Sequence, residues 1–112
     1  MNPKSISVIL PCFNEEKVIR QNIINIHRYI SGRFSDFEII TVNDGSADKT
    51  LAELKKIHDE FNVSIIDNPV NEGKGKAVKD GIKKSRFEIV MFLDADLGIP
   101  IEELDKFLME LD

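Results

Sequence analysis

Phe92-Leu93-Asp94-Ala95-Asp96-Leu97-Gly98 is the stretch whose reading settles the fold. The apolar run Ile89 to Leu93 drives straight into two carboxylates separated by one small residue, and Gly98 and Pro100 then break regular structure. A buried strand that ends in paired acids delivers those acids to a sheet edge, where a ligand reaches them. Two carboxylates about 4 Å apart repel by roughly 4 kcal/mol at an effective dielectric of about 20. A cation between them removes that cost. Mg²⁺ is usually bound by one or two carboxylates plus substrate phosphates, so Asp94 and Asp96 are candidate ligands of a divalent cation that carries a phosphate group. A solvated acidic turn capping the next helix is the plainer alternative, and a lone D-x-D does not separate the two.

Working back from this strand, the same alternation recurs. Ile6-Ser7-Val8-Ile9-Leu10 is a β-branched run stopped by Pro11 and predicts a first strand. Asn14 precedes Glu15 and Glu16, acids that suit the first turn of a helix. Ile19, Ile23, Ile26 and Ile30 then mark one buried helical stripe, ended by Ser31-Gly32. Glu38 to Val42 predicts a second strand that closes on Asn43-Asp44-Gly45-Ser46. Asp48 or Ser46 is placed to cap the next helix, whose apolar face carries Leu51, Leu54 and Phe61, with Ile57 and His58 beside them. Val63 to Ile66 predicts a third strand, broken by Asp67-Asn68-Pro69. Asn71 to Lys76 opens a helix carrying Ala77, Val78, Gly81 and Ile82. Glu88 to Leu93 is the fourth strand, and Leu104, Phe107, Leu108 and Leu111 predict a last amphipathic helix from Pro100.

Strand and helix alternate with short connections. The predicted fold class is therefore α/β: an open, mainly parallel sheet with helices on both faces, in one domain over residues 1–112. All four post-strand loops then lie on the carboxyl rim, where open α/β proteins bind ligands. Asp44 at a strand end is placed to accept hydrogen bonds from a base N–H or a ribose hydroxyl, or to form an Asx-turn with Gly45 at positive φ. Gly73 and Gly75 free backbone N–H groups at a helix N-terminus, which suits anions, and Lys74 and Lys76 add positive charge there. His27 and His58 have no partner at ligand spacing and read as helix-surface residues. No Walker spacing is present, and no G-x-G-x-x-G follows the first strand, which argues against a dinucleotide oxidoreductase.

Bulk properties narrow the partners. The net charge of −5 argues against a nucleic-acid footprint and against electrostatic adhesion to anionic lipid. The single cysteine, Cys12, excludes an intrachain disulfide and reads as a small buried apolar residue. No apolar run is long enough to span a bilayer or form a signal-peptide core, so a cytoplasmic setting is expected.

Four segments, in order, resemble a known family. They are Val8-Ile9-Leu10-Pro11-Cys12-Phe13-Asn14-Glu15-Glu16; Asn43-Asp44-Gly45-Ser46 with Asp48 and Thr50; Asn71-Glu72-Gly73-Lys74-Gly75 with Ala77; and Asp94-Ala95-Asp96-Leu97. Together they are similar to the successive signatures of family 2 glycosyltransferases of the GT-A fold, nearest to the dolichyl-phosphate mannose synthase and polyprenyl-phosphate glycosyltransferase branch. The resemblance implies the Rossmann-like nucleotide-binding half of that fold and a UDP- or GDP-sugar donor, with inversion at the anomeric centre and Mg²⁺ or Mn²⁺ as cofactor. It implies that Pro11, Phe13 and Glu15 line the nucleotide pocket, that Asp44 meets the nucleobase, that Asp94 sits near ribose and metal, and that Asp96 is the metal ligand holding the diphosphate. Lys74 and Ala95 join the substrate-binding set.

Asn43 stands where the family usually has a first aspartate, and Gly98 where mannose synthases often carry a metal-assisting side chain, which leaves glucose or another sugar open. Family members continue well beyond residue 112, so the expectation is a donor-binding half. The acceptor (a polyprenyl phosphate or a glycan), the catalytic base and any membrane helices would then belong to a C-terminal part, with the parent at the cytoplasmic membrane face. Such a half would be inactive alone and open to self-association through an exposed sheet edge. A nucleotidyltransferase and a receiver-like signalling module are the competing α/β readings. The glycine-poor loop after the first strand argues against the former. Against the latter, the third strand ends in Asp67-Asn68-Pro69 with no clear lysine partner after a later strand.

Overall fold

The computed structural model describes residues 5–93. Strand β1 (Ser5–Cys12), helix α1 (Ile19–Ser31), strand β2 (Asp36–Asp44), helix α2 (Thr50–Phe61), strand β3 (Ser64–Asn68), helix α3 (Lys74–Lys84) and strand β4 (Ile89–Phe92) follow one another without interruption. The sheet order is β3-β2-β1-β4, and every neighbouring pair is parallel. The alternation expected from sequence is present through the fourth strand. The predicted helix from Pro100 lies outside the described residues.

β1 is buried on both sides, which is why its sequence is a nearly continuous apolar run rather than an alternating one. Ile6, Val8, Leu10 and Cys12 face α1 and α2, while Ile9 faces α3 together with Ile40, Val42 and Ala77. The α1 stripe Ile19, Ile23, Ile26 and Ile30 is fully buried, as its spacing required. Each such isoleucine contributes about 1.5–3 kcal/mol by leaving water. Helices therefore cover both faces: α1 and α2 on one, α3 on the other.

Several boundaries shift for identifiable reasons. Pro11 does not stop β1, which continues to Cys12. The Ile9 carbonyl accepts from Leu93 N–H at 3.0 Å, so Ile9 presents its main chain to β4. Pro11, two residues on, faces the same side, past Ile9–Phe92, the last β1–β4 partner pair among the described residues, so its missing N–H interrupts no described ladder bond. Helix α1 starts at Ile19 and has no acid in its first turn, so Glu15 and Glu16 lie in the connection before it. On α2 the buried seam is Thr50, Leu54 and Ile57, with Leu51 only half-buried; the helix is rotated so that Thr50 points inward. On α3 only Ala77 and Gly81 are buried, and Ile82 is 49% exposed.

Gly81 explains that narrow contact. A Cβ there would lie 2.4 Å from Ile9 Cγ2 on the buried face of β1, so the missing side chain is what lets α3 approach the sheet. Helix propensity alone favours Gly→Ala by roughly 1 kcal/mol. Overpacking against a fully buried isoleucine costs about 1–3 kcal/mol. Gly81→Val adds branching to the same clash and is expected to lower the thermal midpoint, with Gly81→Ala neutral or mildly destabilising. A Gly81→Ala variant that melts clearly higher than the parent chain would contradict the close approach.

One polar network crosses the amino end of the sheet. Ser7, fully buried in β1, donates to Glu38 Oε2 at 2.6 Å, and the same oxygen accepts Arg86 N–H at 2.6 Å. Phe87 N–H donates back to Ser7 Oγ at 3.3 Å. Burial works to raise the Glu38 carboxyl, but the Ser7 and Arg86 donors outweigh it and hold it below its ordinary value. These bonds seat the α3–β4 connection and leave the opposite, carboxyl end for the site.

Candidate functional site

The chain runs β1, β2, β3 outward in one direction and then returns to place β4 on the far side of β1. The strand order therefore reverses between β1 and β4, with α1 and α2 on one face and α3 on the other. A crevice at the carboxyl ends of the strands, at such a switch point, is where open α/β sheets take ligands. The connections after β1, β2 and β3 all open onto that rim. β4 runs in parallel to the same rim and is still bonded to β1 at Leu93, the last described residue.

The β1–α1 connection is stitched to the β2–α2 connection. Asn14 N–H donates to Ser46 Oγ at 3.0 Å, Glu15 N–H to Thr50 Oγ1 at 2.8 Å, and Glu16 N–H to Asp48 Oδ2 at 3.3 Å. Ala47 N–H returns a bond to Asn14 Oδ1 at 2.8 Å, with Asn14 itself at φ 53°. Asp48 Oδ1 accepts both the Thr50 hydroxyl and Thr50 N–H, the latter at 2.9 Å. The N-cap position of α2 is Lys49, which makes no side-chain capping bond; Asp48, one residue earlier, takes the first helical amide from outside it, and Ser46 serves the neighbouring connection. Desolvation works to raise the Asp48 carboxyl, but the donations from Thr50 and from Glu16 N–H prevail and hold it below its ordinary value. Glu15 O already accepts Val18 N–H at 3.1 Å and Ile19 N–H at 2.9 Å, so a turn at 15–18 leads into α1 at Ile19, and the amides of 14–16, which no helix would bond internally, go to these side chains.

Asp44 makes the second junction. It is 4% exposed, and its two carboxylate oxygens accept Glu72 N–H at 2.9 Å and Gly73 N–H at 3.0 Å. Gly45, at φ 68°, donates its N–H to Asn68 O at 2.9 Å. A Cβ on Gly45 would lie 2.3 Å from Asn71 N, so only glycine fits between the two loops. Gly45 at positive φ matches the turn expected there, but Asp44 reaches across to another loop rather than folding onto its own. Gly73, at φ 98°, is the residue before α3, and its N–H is already taken by Asp44. It therefore does not supply a free anion-binding amide, contrary to expectation. Lys76 is bonded to Asp80 at 2.8 Å and lies 3.8 Å from Glu72, so its charge is matched within α3 and its connection. Lys74 opens α3 at the rim.

Asn43 is 3% exposed, and its Nδ2 donates to Asp67 Oδ1 at 2.9 Å. An aspartate at 43 would set two carboxylates against each other at this contact, whereas the amide turns it into a hydrogen bond. The departure at Asn43 is thus matched by its neighbour on β3.

The expected site residues divide into two groups. Pro11 ends on the rim within β1, Phe13 is 44% exposed just beyond it, Glu15 and Lys74 lie on the same edge, and Asp44 ends β2 there but is buried, with both carboxylate oxygens on backbone amides. Asp94, Ala95 and Asp96 lie outside the described residues. Among the described residues no cluster of acids, histidines or cysteine could hold a metal ion. The two histidines serve packing: His27 sits between the Phe37 and Phe61 rings, at 5.4 and 5.1 Å between centroids, and His58 Nδ1 donates to Val63 O at 2.6 Å. Burial pushes the Cys12 thiol up, away from reactivity. Ser46 and Thr50 were not recognised as loop-binding residues, because hydroxyls just before a helix read locally as caps. No helix among the described residues is long and apolar enough to cross a membrane.

Comparison with known proteins agrees with this geometry. The family model described as glycosyl transferase family 2 matches residues 7–112. A poly-beta-1,6-N-acetyl-D-glucosamine synthase of Staphylococcus epidermidis is 38% identical over 99 residues, covering 86% of this chain and 23% of that protein. A dolichyl-phosphate beta-glucosyltransferase of Trichomonas vaginalis is 33% identical over 112 residues, covering 95% of this chain and 35% of that protein. The chain thus spans between about a quarter and a third of these relatives. Among solved structures, S. aureus TarS 1-349 in complex with UDP-GlcNAc superposes with a TM-score of 0.75 at 28% identity, over 94% of this chain and 30% of the other. Glucosyl-3-phosphoglycerate synthase from Mycobacterium tuberculosis, in complex with Mn²⁺, UDP and glucosyl-3-phosphoglycerate, gives 0.60 at 27% identity, over 82% and 33%.

Proposed function

Because the chain belongs to glycosyl transferase family 2, we propose that its carboxyl rim is the donor side of an inverting sugar transfer from a UDP- or GDP-sugar. The observation that carries this reading is the convergence of three connections and the end of β4 on the one switch point of the sheet. In it, Pro11, Phe13 and Glu15 border the nucleotide, Asp44 meets the base, and Lys74 with the first turn of α3 faces the phosphates. UDP is the first nucleotide to test, because both solved structures named above hold a uridine nucleotide.

Asp94 and Asp96, with Ala95 between them, follow Leu93 directly in the sequence. Their hard carboxylate oxygens suit Mg²⁺ or Mn²⁺. A metal held there would supply neutralisation of the charge that grows on the departing nucleoside diphosphate. The chain's own part is to hold the nucleotide still while an acceptor attacks in line. A lipid phosphate, already ionised, needs no strong general base; a sugar hydroxyl does. β3 and β4, which flank the sheet among the described residues, are the edges through which a second copy would pair.

Calorimetric titration of UDP and of GDP into the chain, with and without Mn²⁺, tests this reading. The expected result is binding that weakens when the metal is chelated, with Asp96→Asn abolishing that dependence. Neither nucleotide binding at millimolar concentration, metal present, overturns it.

A further inference from the structure

Residues 14, 15 and 16 are successive, and each backbone N–H is held by a different side chain: Ser46 and Asp48 of the β2–α2 connection, and Thr50, the first residue of α2. That arrangement is not how these residue types ordinarily act at a helix start, where they satisfy their own helix. Thr50 is fully buried, and its hydroxyl proton goes to Asp48, which leaves an oxygen lone pair directed at Glu15 N–H. One carboxylate thereby holds one amide itself and orients the hydroxyl that holds the next. Asn14 closes the circuit by accepting Ala47 N–H from a left-handed backbone conformation. The connection so held is the one that carries Phe13 and Glu15.

We propose that Ser46, Asp48 and Thr50 are positioning residues for donor binding: they set the backbone of residues 13–16, and so the border of the nucleotide pocket, without touching the nucleotide. This rests on the donor-binding reading given above. Its physical basis is preorganisation. A loop already held in its bound shape loses little conformational freedom when the ligand arrives, and a loose one must be ordered at the expense of affinity.

Thr50→Val keeps the shape and removes the oxygen; Thr50→Ser keeps the oxygen. Two measurements on the chain decide the matter: amide hydrogen exchange at residues 14–16, and calorimetric affinity for UDP and GDP with Mn²⁺. Thr50→Val should speed exchange at these amides and weaken the bound nucleotide by at least about tenfold, while Thr50→Ser stays near the parent in both. Asp48→Asn should move both readouts the same way, by losing the bond to Glu16 N–H, and serves if Thr50→Val does not fold. A solely structural role would lower the melting temperature and leave the affinity of the folded chain unchanged, and that outcome overturns the proposal. So does a Thr50→Ser chain as impaired as Thr50→Val. Failure of the donor-binding reading itself is seen separately, in the unaltered chain binding neither nucleotide, and it removes this inference as well.

Discussion

Asp44→Ala is expected to cost about 2–4 kcal/mol of stability and to weaken nucleotide binding by roughly ten- to a hundredfold. The stability loss follows from two backbone donors. Glu72 N–H and Gly73 N–H both end on this carboxylate, at 2.9 and 3.0 Å, and the side chain that accepts them is buried. Hydrogen bonds to a charged partner are worth about 1.5–3 kcal/mol each, reduced wherever water reaches the freed amides. Asp44→Asn should fall between parent and alanine, since one amide keeps its acceptor while the other meets an NH₂ group. The binding loss follows from the same bonds. Without them the connection before α3 is no longer tied to β2, and Lys74 and the start of α3 move with it. A chemical-denaturation series with nucleotide titration checks both effects. Alanine and asparagine variants as stable as the parent would show that these bonds contribute nothing net.

Gly45→Ala is the second large effect, and here the cost is steric rather than polar. Left-handed backbone at φ 68° costs an L-residue about 1–2 kcal/mol. The new Cβ would also stand 2.3 Å from Asn71 N and 2.6 Å from Val70 C. Both are backbone atoms, so no rotamer change relieves the contact, and the displaced loop adds about 1–3 kcal/mol. A sum of about 2–5 kcal/mol lowers the thermal midpoint by roughly 10–30 °C for a domain of this size. Gly73→Ala meets open space, but φ 98° and ψ 159° lie in a region essentially confined to glycine, so its loss of about 1–3 kcal/mol is all backbone strain. A Gly45→Ala chain as stable as the parent would mean that the contact with residues 70 and 71 does not exist.

The strands and helices were legible because their signals are local. Ile19, Ile23, Ile26 and Ile30 declare one helical face by spacing alone, and every one of them is buried. β1 declares itself by an apolar run that only a strand covered on both sides would carry. Boundaries were less legible where a residue's partner lies far along the chain. Pro11 reads as a strand terminator until the last β1–β4 partner pair among the described residues is seen to be Ile9 with Phe92. Glu15 and Glu16 read as a first helical turn, and only the fold shows that their amides go to Thr50 and Asp48, 35 and 32 positions away, with the helix starting at Ile19. Lys76 is a different case, because its partner Asp80 is only four positions on.

The candidate site divides in the same way. Sequence by itself determined the α/β alternation, the clustering of acids, asparagines and glycines at strand ends, and through them the likeness to a glycosyltransferase donor half. The alternation and the clustering follow from composition and period, which are properties of neighbours along the chain, whereas the likeness rests on the resemblance of four short segments to family signatures. The tertiary structure alone decided that β4 returns beside β1, that Asp44 grips the loop before α3, and that Ser46, Asp48 and Thr50 hold the loop after β1. Hydrogen bonds and close contacts across 28 to 35 positions leave no periodic trace, because each is satisfied by whichever group the sheet happens to bring within 3 Å or so.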